Sequence, residues 1–243
     1  MVSTDESYQA AFERIESAVD AGQTDLGLLG FWRLLAKVKA EPMLAAHWAE
    51  AAGRIDRKVF EARVRWRLPV WMGNAVLVLG ILVGSFAVGL AMGTRSALLA
   101  GLALVFAGGA WMICLHDLAH WLTGRIAGIR FTAYFLSGPY PPFLLPGPFP
   151  PRPGLKSDYA TYLRAAPGAR AWMHASGAIA TKAAPFVVLA FWPATGAPAW
   201  VVWTLAGLGA LSIATDLLFS RTRSDWKKVR RELAIARIHS ASR

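Results

Sequence analysis

Two histidines stand four positions apart in the run Leu115-His116-Asp117-Leu118-Ala119-His120. On a helix, residues at i and i+4 lie on one face, one turn apart. Both imidazoles can then reach a single metal ion. The carboxylate of Asp117 stands beside that ion, where it can accept a proton from water. The spacing is that of the H-E-x-x-H zinc motif, with Asp in place of Glu. A catalytic zinc takes three protein ligands and keeps a fourth position for water. The single cysteine, Cys114, lies on roughly the opposite face of such a helix. The third ligand is therefore expected to be an oxygen or an imidazole from another element.

The segments around this motif are apolar. Of the 243 residues, 55% are hydrophobic and 17% charged, against about 25% charged in an ordinary soluble domain. Disorder is excluded by the high hydrophobicity, and a disulfide framework by the lone cysteine. Residues 69–92 carry no charge, 96–122 carry only the motif's own His116, Asp117 and His120, 171–192 only His174 and Lys182, and 198–219 only Asp216. Each run is long enough to cross a hydrocarbon core of about 30 Å as a helix. The expected fold is an all-α membrane protein with four transmembrane helices, at about 69–92, 96–122, 171–192 and 198–219.

Residues 1–68 differ. They hold ten of the 15 acidic and ten of the 26 basic residues, and their apolar positions (Phe12, Ile15, Val19, then Leu28, Leu29, Trp32, Leu35, Val38) recur at helical spacing. They are read as an amphipathic helical segment, with Asp25 as the N-cap of its second helix and Pro42 as a break after it. No cleaved signal peptide is expected. Basic residues number ten in 1–68, one in the loop after the first span, six in 123–170, none in 193–197 and eight in 220–243. That alternation predicts cytoplasmic N- and C-termini and a cytoplasmic middle segment, with 221–243 a basic tail. The net charge of +11 is then an orientation signal and an attraction to anionic lipid, with no nucleic-acid partner implied. Trp66, Trp71, Trp121, Trp172, Trp192, Trp200 and Trp226 fall near span ends, as an interfacial belt does. Eight of the 14 prolines lie in 139–153, which predicts a stiff loop over 138–154. Gly80–Gly84 and Gly89–Gly93 allow close helix contact, read as packing within the bundle rather than dimerisation or substrate docking.

Ionisable groups inside a bilayer are costly and mark function by default. The charge pattern places the histidine pair at the cytoplasmic end of the second span. Asp216 and Asp225, at and beyond the cytoplasmic end of the fourth, share that depth, and both are candidates for the third ligand. Lys182 and His174 are candidates to stabilise an oxyanion or contact substrate, with pairing to Asp216 the alternative role for Lys182.

The run Leu115–Arg130, with its histidine pair followed by small and basic residues, resembles the site-2 protease family of intramembrane zinc metalloproteases. Ser224-Asp225-Trp-Lys-Lys-Val-Arg-Arg-Glu232 is similar to that family's Asp-Gly segment, with Trp226 where the glycine is expected. Gly177-Ala-Ile-Ala-Thr181 shares only the glycine and the spacing of its Gly-Pro-x-x-Asn pattern. The resemblance covers roughly residues 70–235. It implies Zn2+ held by His116, His120 and Asp225, Asp117 as general base, and hydrolysis of peptide bonds in membrane-embedded or membrane-proximal substrates. It also implies a multi-pass protein of a bacterial or archaeal cell membrane. Aspartate is shorter than glutamate by roughly 1.5 Å, and about 1 Å of misplacement costs on the order of 100-fold. Two other readings therefore stand beside it: a catalytically dead metal-binding relative acting as a membrane interaction protein, and a small ion- or proton-coupled transporter. The sequence specifies neither the substrate nor the oligomeric state.

Overall fold

The structure, a computed structural model, describes residues 4–137, 152–219 and 224–241. Four helices among them are long and apolar enough to span a bilayer: Val70–Gly93 (α5), Ala97–Ile126 (α6), Pro167–Ala194, of which Pro167–Leu189 is regular helix (α8), and Trp200–Leu218 within Trp200–Phe219 (α9). The chain is thus an all-α, multi-pass membrane protein in its main architecture. The second span runs on to Ile126 and the third begins at Pro167, each four residues beyond the apolar run that announced it.

The chain divides into two compact units. One contains Val70–Ile126 and Gly168–Glu232, and the other Met1–Pro69, Ala127–Pro167 and Leu233–Arg243. Residues 69–220, which hold all four spans, are divided between the two units.

In the membrane-spanning unit, small residues let helices approach. A Cβ on Gly80 would meet the Cys114 sulfur, and one on Gly84 would lie 2.7 Å from the Trp111 indole. The first glycine pair of α5 thus serves its contact with α6, where the Trp111 indole also donates to the Ile81 carbonyl at 3.2 Å. At Gly89 and Gly93 a Cβ would meet nothing. On α6, Gly101 and Gly108 accept Trp200, Val201 and Leu205 of α9, and Ala100, Ala103, Leu104, Ala107, Val201 and Leu205 are buried together.

The other unit begins with Thr4–Asp20 (α1), Phe31–Ala40 (α2), Pro42–His47 (α3) and Ala49–Arg63 (α4). Phe12, Ile15, Val19, Leu35 and Val38 are in its core, as their spacing predicts, but Leu28 and Trp32 are exposed and Phe31 is buried instead. The reason is local. Asp25 accepts from the amides of Gly27 and Leu28 at 2.9 and 3.1 Å, so it caps a turn rather than a helix. Gly30, at φ 77, then resets the chain and α2 starts at Phe31. Pro42 does end the run, standing at the first position of α3.

This unit also holds a small antiparallel sheet absent from the sequence reading. Trp66–Leu68 (β1), Phe131–Ser137 (β2) and Arg152–Ser157 (β3) pair in the order β1-β2-β3, with Leu68 opposite Tyr134 and Phe135 opposite Gly154. The Phe135 ring covers Gly154, where a Cβ would come within 2.7 Å, and meets Phe60 of α4 edge-on at 5.2 Å. Lys156 reaches the buried Asp56 of α4 at 2.5 Å. Asp158 caps Tyr159–Arg164 (α7), and Leu163 of α7 joins the helical core. Of the proline-rich stretch read as a loop over 138–154, residues 138–151 lie outside the described residues and 152–154 belong to β3. The segment read as a basic tail contains Asp225–Ala241 (α10), a helix.

Candidate metal centre

The histidine pair projects from α6 as its spacing predicts, with ring centroids 4.7 Å apart. Asp225, the first residue of α10, joins it. Its Oδ2 lies 3.6 Å from His116 Nε2 and 3.3 Å from His120 Nε2. The three ligand atoms lie within 4.8 Å of one another, close enough to share one ion.

The other ring nitrogens decide what this cluster is. His120 Nδ1 lies 2.6 Å from the Met173 carbonyl of α8. A carbonyl only accepts, so Nδ1 carries the proton. His116 Nδ1 lies 2.9 Å from Thr181 Oγ1. That hydroxyl has Gly177 and Met112 carbonyls at 3.1 and 3.4 Å for its own proton, so it accepts from His116. Both neutral imidazoles therefore present an Nε2 lone pair to a carboxylate oxygen. Three acceptors in van der Waals contact repel unless a positive charge lies among them, supplied by protons or by a metal. Orientation of each ligating imidazole through its second nitrogen is the usual accompaniment of a metal site.

Asp225 is itself held. Its Oδ1 accepts from Lys228 at 2.8 Å. Burial pushes its carboxyl up, but His120, where a proton on Nε2 supplies the positive charge, and the Lys228 cation outweigh this and hold it well below the usual carboxylate range.

The approach of α8 to α6 depends on one glycine. A Cβ on Gly177 would run into the His120 imidazole. One residue away, Ser176 and Thr123 hydroxyls meet at 2.8 Å, and Thr123 donates to Ala119 at 2.7 Å. Gly177 and Thr181, noted in sequence only for their spacing, are both at the histidine pair. The Met173 carbonyl had no sequence signal at all.

The remaining candidates fall as follows. Asp117 is half-buried and makes no hydrogen bond or ion pair with another described residue. His174 is buried, its ring 6.4 Å from that of His120. Asp216 is not among the three clustered ligands. Its Oδ2 pairs with Lys182 and accepts from the Trp226 indole at 3.0 Å. Lys182 also donates to the Ala178 carbonyl at 3.1 Å. Comparison of the chain with protein-family models, curated proteins and solved structures finds no match.

Proposed function

We propose that the chain is an intramembrane zinc-dependent endopeptidase. The observation that carries this reading is the convergence of two oriented imidazole nitrogens and one carboxylate oxygen on a single point, beside a carboxylate with no hydrogen-bonded partner among the described residues. His116, His120 and Asp225 are the ligands. Two imidazoles and one carboxylate suit zinc, and three protein ligands leave a position open. The ion's contribution is Lewis acidity, which acidifies water toward neutral pH and polarises a carbonyl.

The chain's own residues supply the rest. Thr181 and the Met173 carbonyl fix the imidazole orientations. Lys228 keeps Asp225 ionised and turned toward the pair. Asp117 takes a proton from water on its carboxylate and gives it to the leaving amine. Substrates are membrane proteins or peptides whose cleaved segment is locally unwound, because helical carbonyls are already hydrogen-bonded. Lys182 is engaged with Asp216, which argues against it as an oxyanion donor, and His174 is the remaining candidate. The N- and C-termini are cytoplasmic. Residues 1–69 and 127–167, both containing several Lys and Arg, belong to one compact unit, which supports their sharing one side.

The test is metal content of the purified protein in detergent. One zinc per chain is expected, lost in His116→Ala, His120→Ala and Asp225→Ala. A well-folded wild type without metal would remove this function. Asp117 specifically favours a second reading, a metal-binding relative that does not hydrolyse. The two separate on cleavage of a membrane-helix peptide. In an enzyme Asp117→Asn lowers the rate by at least 100-fold, whereas in the inert relative neither wild type nor Asp117→Asn cleaves.

A further inference from the structure

Asp225 is the one ligand that does not come from α6, so whatever sets the first turn of α10 sets the third coordination bond. Four contacts hold this helix, two of them at its first turn. Asp225, Val229 and Glu232 lie at i, i+4 and i+7, one face of α10. Val229 packs with Ala171 and Ala175 of α8. Glu232 pairs with Arg170 of α8 at 2.6 Å, both side chains at most 1% exposed. These two fix which face of α10 meets α8 further along the helix. The first turn is held separately. The Ser224 hydroxyl accepts from the Trp226 amide at 3.1 Å, and the Trp226 indole donates to Asp216 on α9.

Successive residues of a helix point about 100° apart. Asp225 directed at the histidines and Trp226 directed at Asp216 therefore fix the rotation of that turn from two sides. The acceptor for Trp226 is unusual. Asp216 is a carboxylate on a membrane-spanning helix, 26% exposed, and its counter-ion Lys182 is 17% exposed on another. An ion pair at such positions is expensive and calls for a role. A neutral acceptor accepts from an indole, but a carboxylate locked by an ammonium and by α8 does so in a fixed place and more strongly.

We propose that Lys182, Asp216 and Trp226 form a positioning strut for the third metal ligand. Lys182 fixes the Asp216 carboxylate, Asp216 fixes the Trp226 indole, and the indole holds the turn from which Asp225 reaches His116 and His120. The inference rests on the metal-centre reading above. In this account Asp216 and Lys182 touch neither metal nor substrate.

The experiment uses the full chain in detergent and two probes. Zn2+ affinity is measured by competition with a chromophoric chelator, and the absorption spectrum of the Co2+-loaded protein reports the ligand set. Trp226→Phe and Asp216→Leu are each expected to weaken Zn2+ binding by about 10–100-fold, the range for lost orienting partners. Their Co2+ spectra differ from that of the wild type, as a displaced carboxylate ligand requires. Asp216→Asn, which keeps an oxygen for the indole, loses less than Asp216→Leu. The double variant Asp216→Leu/Trp226→Phe loses little more than either single one, because both remove the same link. A general loss of stability changes neither the Co2+ spectrum nor the additivity. Where Asp216→Leu does not fold, Trp226→Phe decides alone. Zinc affinity within twofold of wild type in Trp226→Phe, with an unchanged Co2+ spectrum, overturns the strut and leaves the metal centre standing. A wild type that binds neither ion overturns both.

Discussion

At the scale of single residues, the site depends on what is missing from Gly177 as much as on what His120 carries. Glycine inside a helix costs about 1 kcal/mol relative to alanine, so by propensity alone Gly177→Ala should strengthen α8. The added methyl, however, would enter the His120 ring. That ring is pinned by its bond to the Met173 carbonyl and cannot swing away without losing it. We expect Gly177→Ala to leave the helical content unchanged and to weaken Zn2+ binding at least about 10-fold, the loss typical of a disturbed orienting shell, as read by chelator competition. Unchanged zinc affinity would mean that α8 moves freely relative to the histidines. Of the site's members, the histidine pair was legible because i, i+4 spacing is a property of sequence. Charge bias brought two carboxylates to the right depth, and nothing in it could choose between Asp216 and Asp225. Thr181 and the Met173 carbonyl were illegible for a different reason. A backbone carbonyl belongs to every residue type, and a threonine in a small-residue helix has no pattern that marks it.

At the scale of elements, what was read well is what composition controls. Four spans appear because about 20 consecutive residues are apolar with almost no charge, and neighbouring chain segments cannot disguise that. The sheet was missed although Phe131-Thr-Ala-Tyr-Phe-Leu-Ser137 is rich in aromatic and β-branched types. Its partners are Trp66–Leu68 and Arg152–Ser157, the latter containing a proline and a glycine, so no local window shows a pair of strands. The α1–α4 contact is a further case of long-range pairing, and it yields a prediction about acid. Glu16 accepts from Arg54 at 3.1 Å and lies 3.0 Å from Lys58, which also reaches Asp20 at 2.6 Å. The Arg54 hydrogen bond lowers the Glu16 carboxyl against the opposing effect of burial, with Lys58 adding to it. A carboxyl lowered on folding adds stability above its unfolded value, and that stability is lost as the pH falls through the folded one. Hydrogen exchange of α1 amides, corrected for intrinsic rates, should therefore accelerate as the pH drops below about 4, the ordinary glutamate range. Glu16→Gln should flatten that dependence, and an equally steep one in the variant would assign it to other groups.

At the scale of the whole molecule, the two compact units divide the chain's chemistry. The spans contain the histidine pair, and the other unit is assembled from three separated segments. Two of these, residues 1–69 and 127–167, largely coincide with stretches whose Lys and Arg content predicts a cytoplasmic location, whereas six of the eight basic residues of 220–243 belong to the other unit. Reporter fusions check the predicted orientation. Alkaline phosphatase joined after Thr195 should be active, and joined after Asp158 or after Ala241 it should be inactive, as the positive-inside rule requires. Activity at Asp158 would invert the orientation.

One consequence concerns the order in which the protein is made. Asp225 follows His120 by 105 residues, and α8 with its Met173 and Thr181 partners lies between them. A chain under synthesis therefore places its two imidazoles in the bilayer well before the carboxylate exists. At that stage the cluster has two of its three ligands and no Lys228 to charge-balance the third. The centre is completed only when α10 docks, so an unfinished or truncated chain carries the motif without the site.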